Sequence, residues 1–203
     1  LVVVIGAYRV DSGSIRSGVI VAFLQYFIMN KPKGVLTATE DKNKQTVIDL
    51  IPDELRRRDL FPVGRLDKDT TGLLIITNNG DFAHKLLSPN QKIPKRYLVT
   101  FDGEVGEDLI PKFKNGLTLV DGTELSPATL EILKDKHTAF VTITEGKYHQ
   151  IKRMFGLFNL GVNELKRVSF AGLELPETLL EGEIRELTVN ELECINNAKK
   201  MAK

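Results

Sequence analysis

Gly64-Arg65-Leu66-Asp67-Lys68-Asp69-Thr70-Thr71-Gly72 runs directly into Leu73-Leu74-Ile75-Ile76, and that run ends at Thr77-Asn78-Asn79-Gly80. The first segment is the densest polar cluster of the chain. The second is apolar, short, rich in β-branched residues and bounded by turn signals, which predicts a buried strand rather than a helix. A polar loop feeding a buried strand is a common place for a reactive side chain. If Arg65 to Asp67 is extended, both side chains project to one side, where a guanidinium can orient a carboxylate and keep it ionised. The same residue types also build turns, with Asp69-Thr70 capping the strand after them. Spacing alone leaves both readings open.

Working outward, Tyr26 to Met29 reads as a strand ending in the turn-prone Asn30-Lys31-Pro32-Lys33-Gly34. Thr46 to Ile51 is expected to form a short helix, and Arg56 to Arg58 a charged loop. Asp81 is a candidate N-cap for a helix over Phe82 to Leu87, stopped by Ser88-Pro89. Strands are expected at Gly72 to Thr77, Arg96 to Phe101, Leu117 to Val120, Ala128 to Leu133, Thr138 to Thr144 and Gly161 to Phe170, and a helix at His149 to Leu157. Strands outnumber helices and mostly follow one another. An α+β fold with a largely antiparallel sheet is therefore expected over a doubly wound one. Residues 1–23 read as short β-rich pieces too few to bury a core, and a composition change places a boundary near residue 24.

The chain has 203 residues, 42% hydrophobic and 27% charged, so it can bury a core, and neither disorder nor a fibrous repeat fits. No apolar run approaches the roughly 18 residues of a membrane span, no secretion signal opens the chain, and one cysteine, Cys194, cannot form an internal disulfide. A cytoplasmic protein without membrane contact is expected. The net charge of +1 argues against a generic polycation, but the charges are sorted. Lys85 to Phe101 holds Lys85, Lys92, Lys95 and Arg96 and no acid, and Lys147 to Arg167 holds five cations against Glu164. Asp102 to Glu131 carries seven acids against two lysines, and Glu174 to Glu193 seven against Arg185. Two acid-poor basic stretches favour a polyanionic partner, although each by itself reads as a solvated face.

Two other chemistries are weaker. Asp67-Lys68-Asp69-Thr70-Thr71 fits the pattern of aspartate-nucleophile phosphatases, but those place an apolar strand before the first Asp, and here Gly64-Arg65 stand there. A glycosidase pair of carboxylates is not set by a separation of two residues, which fixes no spatial distance.

Gly64-Arg65-Leu66-Asp67, Thr71-Gly72-Leu73-Leu74 and Thr77-Asn78-Asn79-Gly80-Asp81 together resemble the catalytic-loop motif of RNA pseudouridine synthases, in the branch that modifies ribosomal RNA. Three further segments agree in order: Tyr26 to Gly34, Lys95-Arg96-Tyr97-Leu98-Val99, and Glu145-Gly146-Lys147-Tyr148-His149-Gln150-Ile151-Lys152-Arg153-Met154-Phe155. The resemblance spans roughly residues 25 to 195. His84 to Pro89, Gly116 to Leu119 and Ser126-Pro127-Ala128 are more similar to enzymes of the 16S small subunit than to their 23S-modifying relatives.

The resemblance implies a pseudouridine synthase fold, a mixed and largely antiparallel sheet with flanking helices, over residues 25–203. It implies a monomeric enzyme that needs no cofactor and no metal and acts on ribosomal RNA. Asp67 would be the nucleophile, at the sugar C1′ or the base C6. Arg65 would hold the loop or fill the space of the extruded base, Tyr97 stack on the uracil, Lys152 place a cation against Asp67, and Leu165 form an apolar floor. Without the resemblance, Tyr97 and Leu165 read as core strand residues and Lys152 as an exposed helix lysine; His149 is expected to be structural or a loop contact. Lys31, Lys33, Lys92, Lys95, Arg96, Lys147, Arg153, Lys166 and Arg167 would hold phosphates. A catalytically silent RNA-binding or ribosome-assembly protein on the same fold is the alternative. The branch usually begins with an S4 RNA-binding domain, of which residues 1–24 are similar only to the β-hairpin end. Its helical part is absent and the first residue is Leu, so the chain is expected to be incomplete at its start.

Overall fold

A computed structural model describes residues 24–56 and 59–201. The S4-like segment expected over residues 1–24 lies, but for its last residue, outside the described residues, as do Arg57 and Arg58 of the expected charged loop. Nine strands, β1 (Tyr26–Lys31), β2 (Phe61–Pro62), β3 (Thr71–Thr77), β4 (Lys95–Phe101), β5 (Thr129–Ile132), β6 (Thr138–Ile143), β7 (Val162–Phe170), β8 (Leu173–Glu174) and β9 (Ile184–Glu186), make up a single sheet among the described residues. Four α-helices flank it: α1 (Gly80–Leu87), α2 (Leu109–Asn115), α3 (Gln150–Gly156) and α4 (Val189–Met201).

The strand order is β5-β6-β4-β7-β3-β1-β9, with β2 on β3 and β8 on β7. Each pairing is antiparallel except the β3–β7 pair, where Thr71 meets Lys166 and Gly72 meets Arg167. The expected α+β class with a mixed, largely antiparallel sheet is therefore observed. That one parallel seam joins the two halves of the sheet, and it lies at the start of the strand that follows the polar loop.

The unbroken run Leu73-Leu74-Ile75-Ile76 has a tertiary cause. Successive strand residues point to opposite faces, and here both faces are covered. Leu73 and Ile75 join Ile28, Phe82, Leu86, Phe170 and Ile195 on one side, while Leu74 and Ile76 join Phe27, Met29, Val47 and Ile51 on the other. All four are fully buried. A third apolar cluster lies in the other half of the sheet, where Tyr97, Val99 and Phe101 of β4 and Leu165 of β7 pack with Ile151, Met154 and Phe155 of α3.

Several expected elements differ. Thr46 to Ile51 is a turn: the Asp49 carboxylate accepts from the Thr46 amide at 2.8 Å and its hydroxyl at 3.0 Å as at a helix start, but Pro52 follows Ile51 and turns the residue before it away from the helical region, so no helix propagates. The helix cap at α1 is Asn79, not Asp81: Asn79 Oδ1 accepts from the Phe82 amide at 3.0 Å, and Asp81 sits inside the first turn, where its charge suits the helix dipole. Leu117 to Val120 forms only an isolated bridge, Thr118 with Glu124. Helices α2 and α4 are not expected from the sequence. None of the helices among the described residues is long and apolar enough to cross a membrane.

Candidate active site

The polar loop is a turn and a site at once. Thr70 donates its amide to the Asp67 carbonyl at 3.1 Å, so the chain reverses over Lys68-Asp69 and presents Asp67 at the head of β3. Three fixings hold that turn. The Thr37 hydroxyl donates to the Leu66 carbonyl at 2.8 Å and accepts from the Leu66 amide at 3.2 Å. The Gly34 amide donates to the Lys68 carbonyl at 2.8 Å. Lys31, fully buried at the end of β1, donates to the carbonyls of Pro32, Lys68 and Thr70 at 3.1, 3.3 and 3.0 Å.

This geometry corrects one expectation about Lys31. Its ammonium is directed into the loop backbone and away from the surface; burial lowers its pKa to about 8, opposed by the charges of Asp69 and Asp67. Arg167 is corrected likewise. It is 2% exposed, donates from Nε to the Leu73 carbonyl at 2.7 Å, and lies 4.8 Å from the Phe170 ring centroid, so it braces the parallel seam. Of the other expected phosphate contacts, Arg96 pairs with Glu131 at 2.7 Å and Arg153 with Asp121 at 2.5 Å. Lys95 is half-buried with its pKa lowered to about 8 by burial and by the Arg167 charge, and it donates to the Ile93 carbonyl. Lys33 and Lys92 are exposed and Lys166 is half-buried; none of the three lines the cleft at Asp67.

Asp67 opens onto a cleft of about 900 Å³. Its apolar lining is Tyr97 from β4, Leu165 from β7, Ile143 from β6 and Ile151 from α3, all buried in the protein core on their far sides. Arg65, Lys68, Lys147 and Lys152 supply cations, and Asp41, Asp69, Tyr148 and His149 complete its polar wall. The five residues implied by the resemblance, Asp67, Arg65, Tyr97, Lys152 and Leu165, all line this one cleft. Lys152 is paired differently from what the resemblance implies: its Nζ lies 2.5 Å from Asp69 Oδ2, and Asp67 Oδ1 instead faces the His149 ring, with Nε2 at 3.5 Å. The Lys152 ammonium holds the Asp69 carboxyl below its ordinary range. Arg65 is exposed and forms no ion pair with Asp67.

The segment before α3 delivers this second wall. The buried Gln150 accepts from the Lys147 amide at 2.9 Å and donates to Glu145 at 3.0 Å, clamping the loop between them. His149 takes a left-handed backbone, φ 47°, uncommon for a residue with a side chain. Asp69, Tyr148, His149 and Lys68 had no place in the site as expected from sequence. Their signal was present, since all four stand inside the two motif segments, but a motif does not say which of its side chains face the same space.

The cleft contains a partly exposed carboxylate, an apolar floor with an aromatic ring, and flanking cations. That set suits a neutral planar ring attached to an anionic backbone. Comparison with known proteins agrees. Residues 25–156 match the family described as RNA pseudouridylate synthase. The chain is 44% identical over 174 residues to an uncharacterized RNA pseudouridine synthase, YtzG, of Bacillus subtilis, covering 84% of this chain and 73% of that one. It is 38% identical over 172 residues to the ribosomal small subunit pseudouridine synthase A of Escherichia coli, covering 84% and 74%. A crystal structure of a pseudouridylate synthase superimposes with a TM-score of 0.79 at 38% identity, covering 85% of this chain and 74% of the other, so the fold is the one the motifs implied. With the catalytic-loop segment, the cleft and the fold in agreement, this chain belongs to the RNA pseudouridine synthase family.

Proposed function

We propose that the protein isomerises a specific uridine of ribosomal RNA, in the 16S molecule, to pseudouridine, with the Asp67 carboxylate as nucleophile. The observation that carries the assignment is the contrast among the three carboxylates of the cleft. Asp69 is held by Lys152 at 2.5 Å, and Asp41 accepts the amides of Asn43 and Lys44, both at 2.9 Å. Asp67 meets only the His149 ring edge at 3.5 Å and keeps a third of its side chain exposed to the cleft. It is the carboxylate free to attack.

The reaction breaks the bond from C1′ to N1 and forms one from C1′ to C5. The C5 hydrogen leaves as a proton and N1 gains one, so there is no net redox change. Whether the carboxylate adds to C1′ or to C6, it stays bonded to one fragment, sugar or base, while the cleft retains the other; it is expelled from C1′ as C5 attacks there, or from C6 after the C1′–C5 bond has formed and C5 has lost its proton. The chain's own residues do the remaining work. Tyr97 and Leu165 give the turning ring an apolar bed, which fits a nucleotide taken out of its stack. Arg65 and Lys68, exposed on the cleft, are the cations available to backbone phosphates, whereas the Lys147 ammonium is engaged by the Glu124 carbonyl and Glu145. The resemblance to a small-subunit enzyme over 84% of the chain supports 16S as the substrate.

The test is to map pseudouridines in 16S and 23S ribosomal RNA from cells with and without the protein. Loss of one 16S position is expected. An unchanged map, with the protein still bound to RNA, would make it the silent binding protein of the alternative reading, and loss in 23S would move the substrate.

A further inference from the structure

Tyr148 is 76% exposed, and it is the one phenylalanine or tyrosine in the exposed class among the described residues. It is not a scattered surface residue. Its ring lies on the His149 ring, centroids 3.9 Å apart and planes 20° from parallel, and both line the cleft. His149 in turn reaches Asp67. The Gln150 bonds to the Lys147 amide and to Glu145 fix the loop on which the pair stands, and His149 takes a left-handed backbone within it.

We propose that Tyr148, backed by His149, is a stacking platform for the nucleobase adjacent to the target uridine in the RNA strand. This rests on the reading of the chain as an RNA-modifying enzyme. A flat ring with one face supported and the other in solvent matches the π-face that every base offers, and flipping one nucleotide into the cleft leaves its neighbour without a stacking partner. Lys147, next in the chain, lines the same cleft, but its ammonium donates to the Glu124 carbonyl and pairs with Glu145 at 3.7 Å, so the two rings and not this cation carry the recognition. The distances make the platform continuous with the chemistry: base on Tyr148, Tyr148 on His149, His149 on Asp67.

The chain contains no tryptophan, so Tyr148→Trp in the full protein introduces a single indole at the platform. In vitro transcribed 16S ribosomal RNA is the probe, with binding followed in parallel by anisotropy of the labelled RNA. Quenching of the indole is expected as RNA binds. Across Tyr148→Phe, Tyr148→Leu and Tyr148→Ala, the phenyl ring should bind within about twofold of wild type, while Leu and Ala weaken binding by roughly 5- to 150-fold, the range of one lost base stack. The larger part of their loss should fall on KM rather than kcat, with thermal midpoints close to wild type because the side chain is exposed. Leu binding as well as Phe, or an indole left unquenched by bound RNA, would overturn the platform alone. Failure of the wild-type protein to bind the RNA would overturn it together with the substrate assignment. Quenching that persists in the double variant with Asp67→Asn, where turnover should stop, would support the platform independently of the nucleophile.

Discussion

Lys152 Nζ lies 2.5 Å from Asp69 Oδ2, while Asp67, two residues earlier in the same turn, faces His149 at 3.5 Å. The family motif implies the cation on Asp67. The turn instead separates the two carboxylates so that one is neutralised by a helix lysine and the other opens into the cleft, and the two should therefore respond differently to the same change.

Asp67→Asn should lower kcat for pseudouridine formation by on the order of 10⁴-fold or more, with circular dichroism unchanged, because an amide is not a competent nucleophile. Asp69→Asn breaks a solvent-screened ion pair and should cost less than about tenfold. Single-turnover assays on 16S RNA read both; equal losses would remove the distinction on which Asp67 was chosen.

Gly72→Ala should prevent stable folding, at a cost above about 3 kcal/mol. Gly72 has φ +100°, and an added Cβ would stand 2.2 Å from the Arg167 carbonyl oxygen and 2.8 Å from its nitrogen, both backbone atoms of the parallel seam. Denaturant titration of the soluble fraction measures it. A variant as stable as wild type would mean that the seam does not hold the halves together this tightly.

Glu191→Ala should lower the thermal midpoint by about 2–4 °C, corresponding to roughly 1 kcal/mol for a chain of this size. Glu191 closes a reciprocal cap with Thr188 at the start of α4, accepting the Thr188 amide at 2.8 Å, and holds both guanidinium nitrogens of Arg185 on β9 at 2.9 and 2.7 Å. The Arg185 bonds, with those from Thr188, lower its carboxyl from 4.5 to about 2. A pKa that is lower in the folded state contributes stability above the unfolded value and loses it as pH falls through the folded one. The gap between wild type and variant should therefore shrink between pH 4.5 and 2; melts in that window that run parallel would count against the assignment.

Lys31→Met should change how stability varies in alkali. The buried Lys31 ammonium titrates near 8 in the folded protein and near 10.5 when unfolded, so between those values the unfolded chain binds more protons and this residue makes stability rise with pH. The variant should lose that rise, measured as the difference in unfolding free energy from pH 8 to 10.5. It should also leave the salt slope of RNA binding as it is in wild type, since Lys31 meets carbonyls and no phosphate.

Much of the sheet was legible because its strands carry the two signals that survive without tertiary context. Leu73 to Ile76 is apolar between turns, and Phe140, Thr142 and Thr144 alternate with Val141 and Ile143. The expected helix at Thr46 to Ile51 failed because Pro52 follows it at once, leaving the Thr46–Asp49 cap with no helix to start. Helix α4 went unseen because its polar residues outnumber the Leu192 and Ile195 it buries against β3 and its neighbours, a burial joined by a cap and an ion pair to β9.

The sequence by itself determined the chemistry available: one motif carrying Asp67 before a strand buried on both faces, a second carrying Lys147 to Arg153, and a family with a known reaction. Charge and residue type are local properties, and they are written in order along the chain. Tertiary structure alone decided which cations are usable. Lys31 and Arg167 look like Lys33 and Lys166 on paper, but the first two end under the loop and at the seam, where backbone carbonyls replace water around them. It also decided that Lys152 meets Asp69 and that Tyr148 and His149 stand stacked beside Asp67. Those pairings join residues about eighty positions apart in the chain, and only the folding of the sheet brings the two motifs face to face.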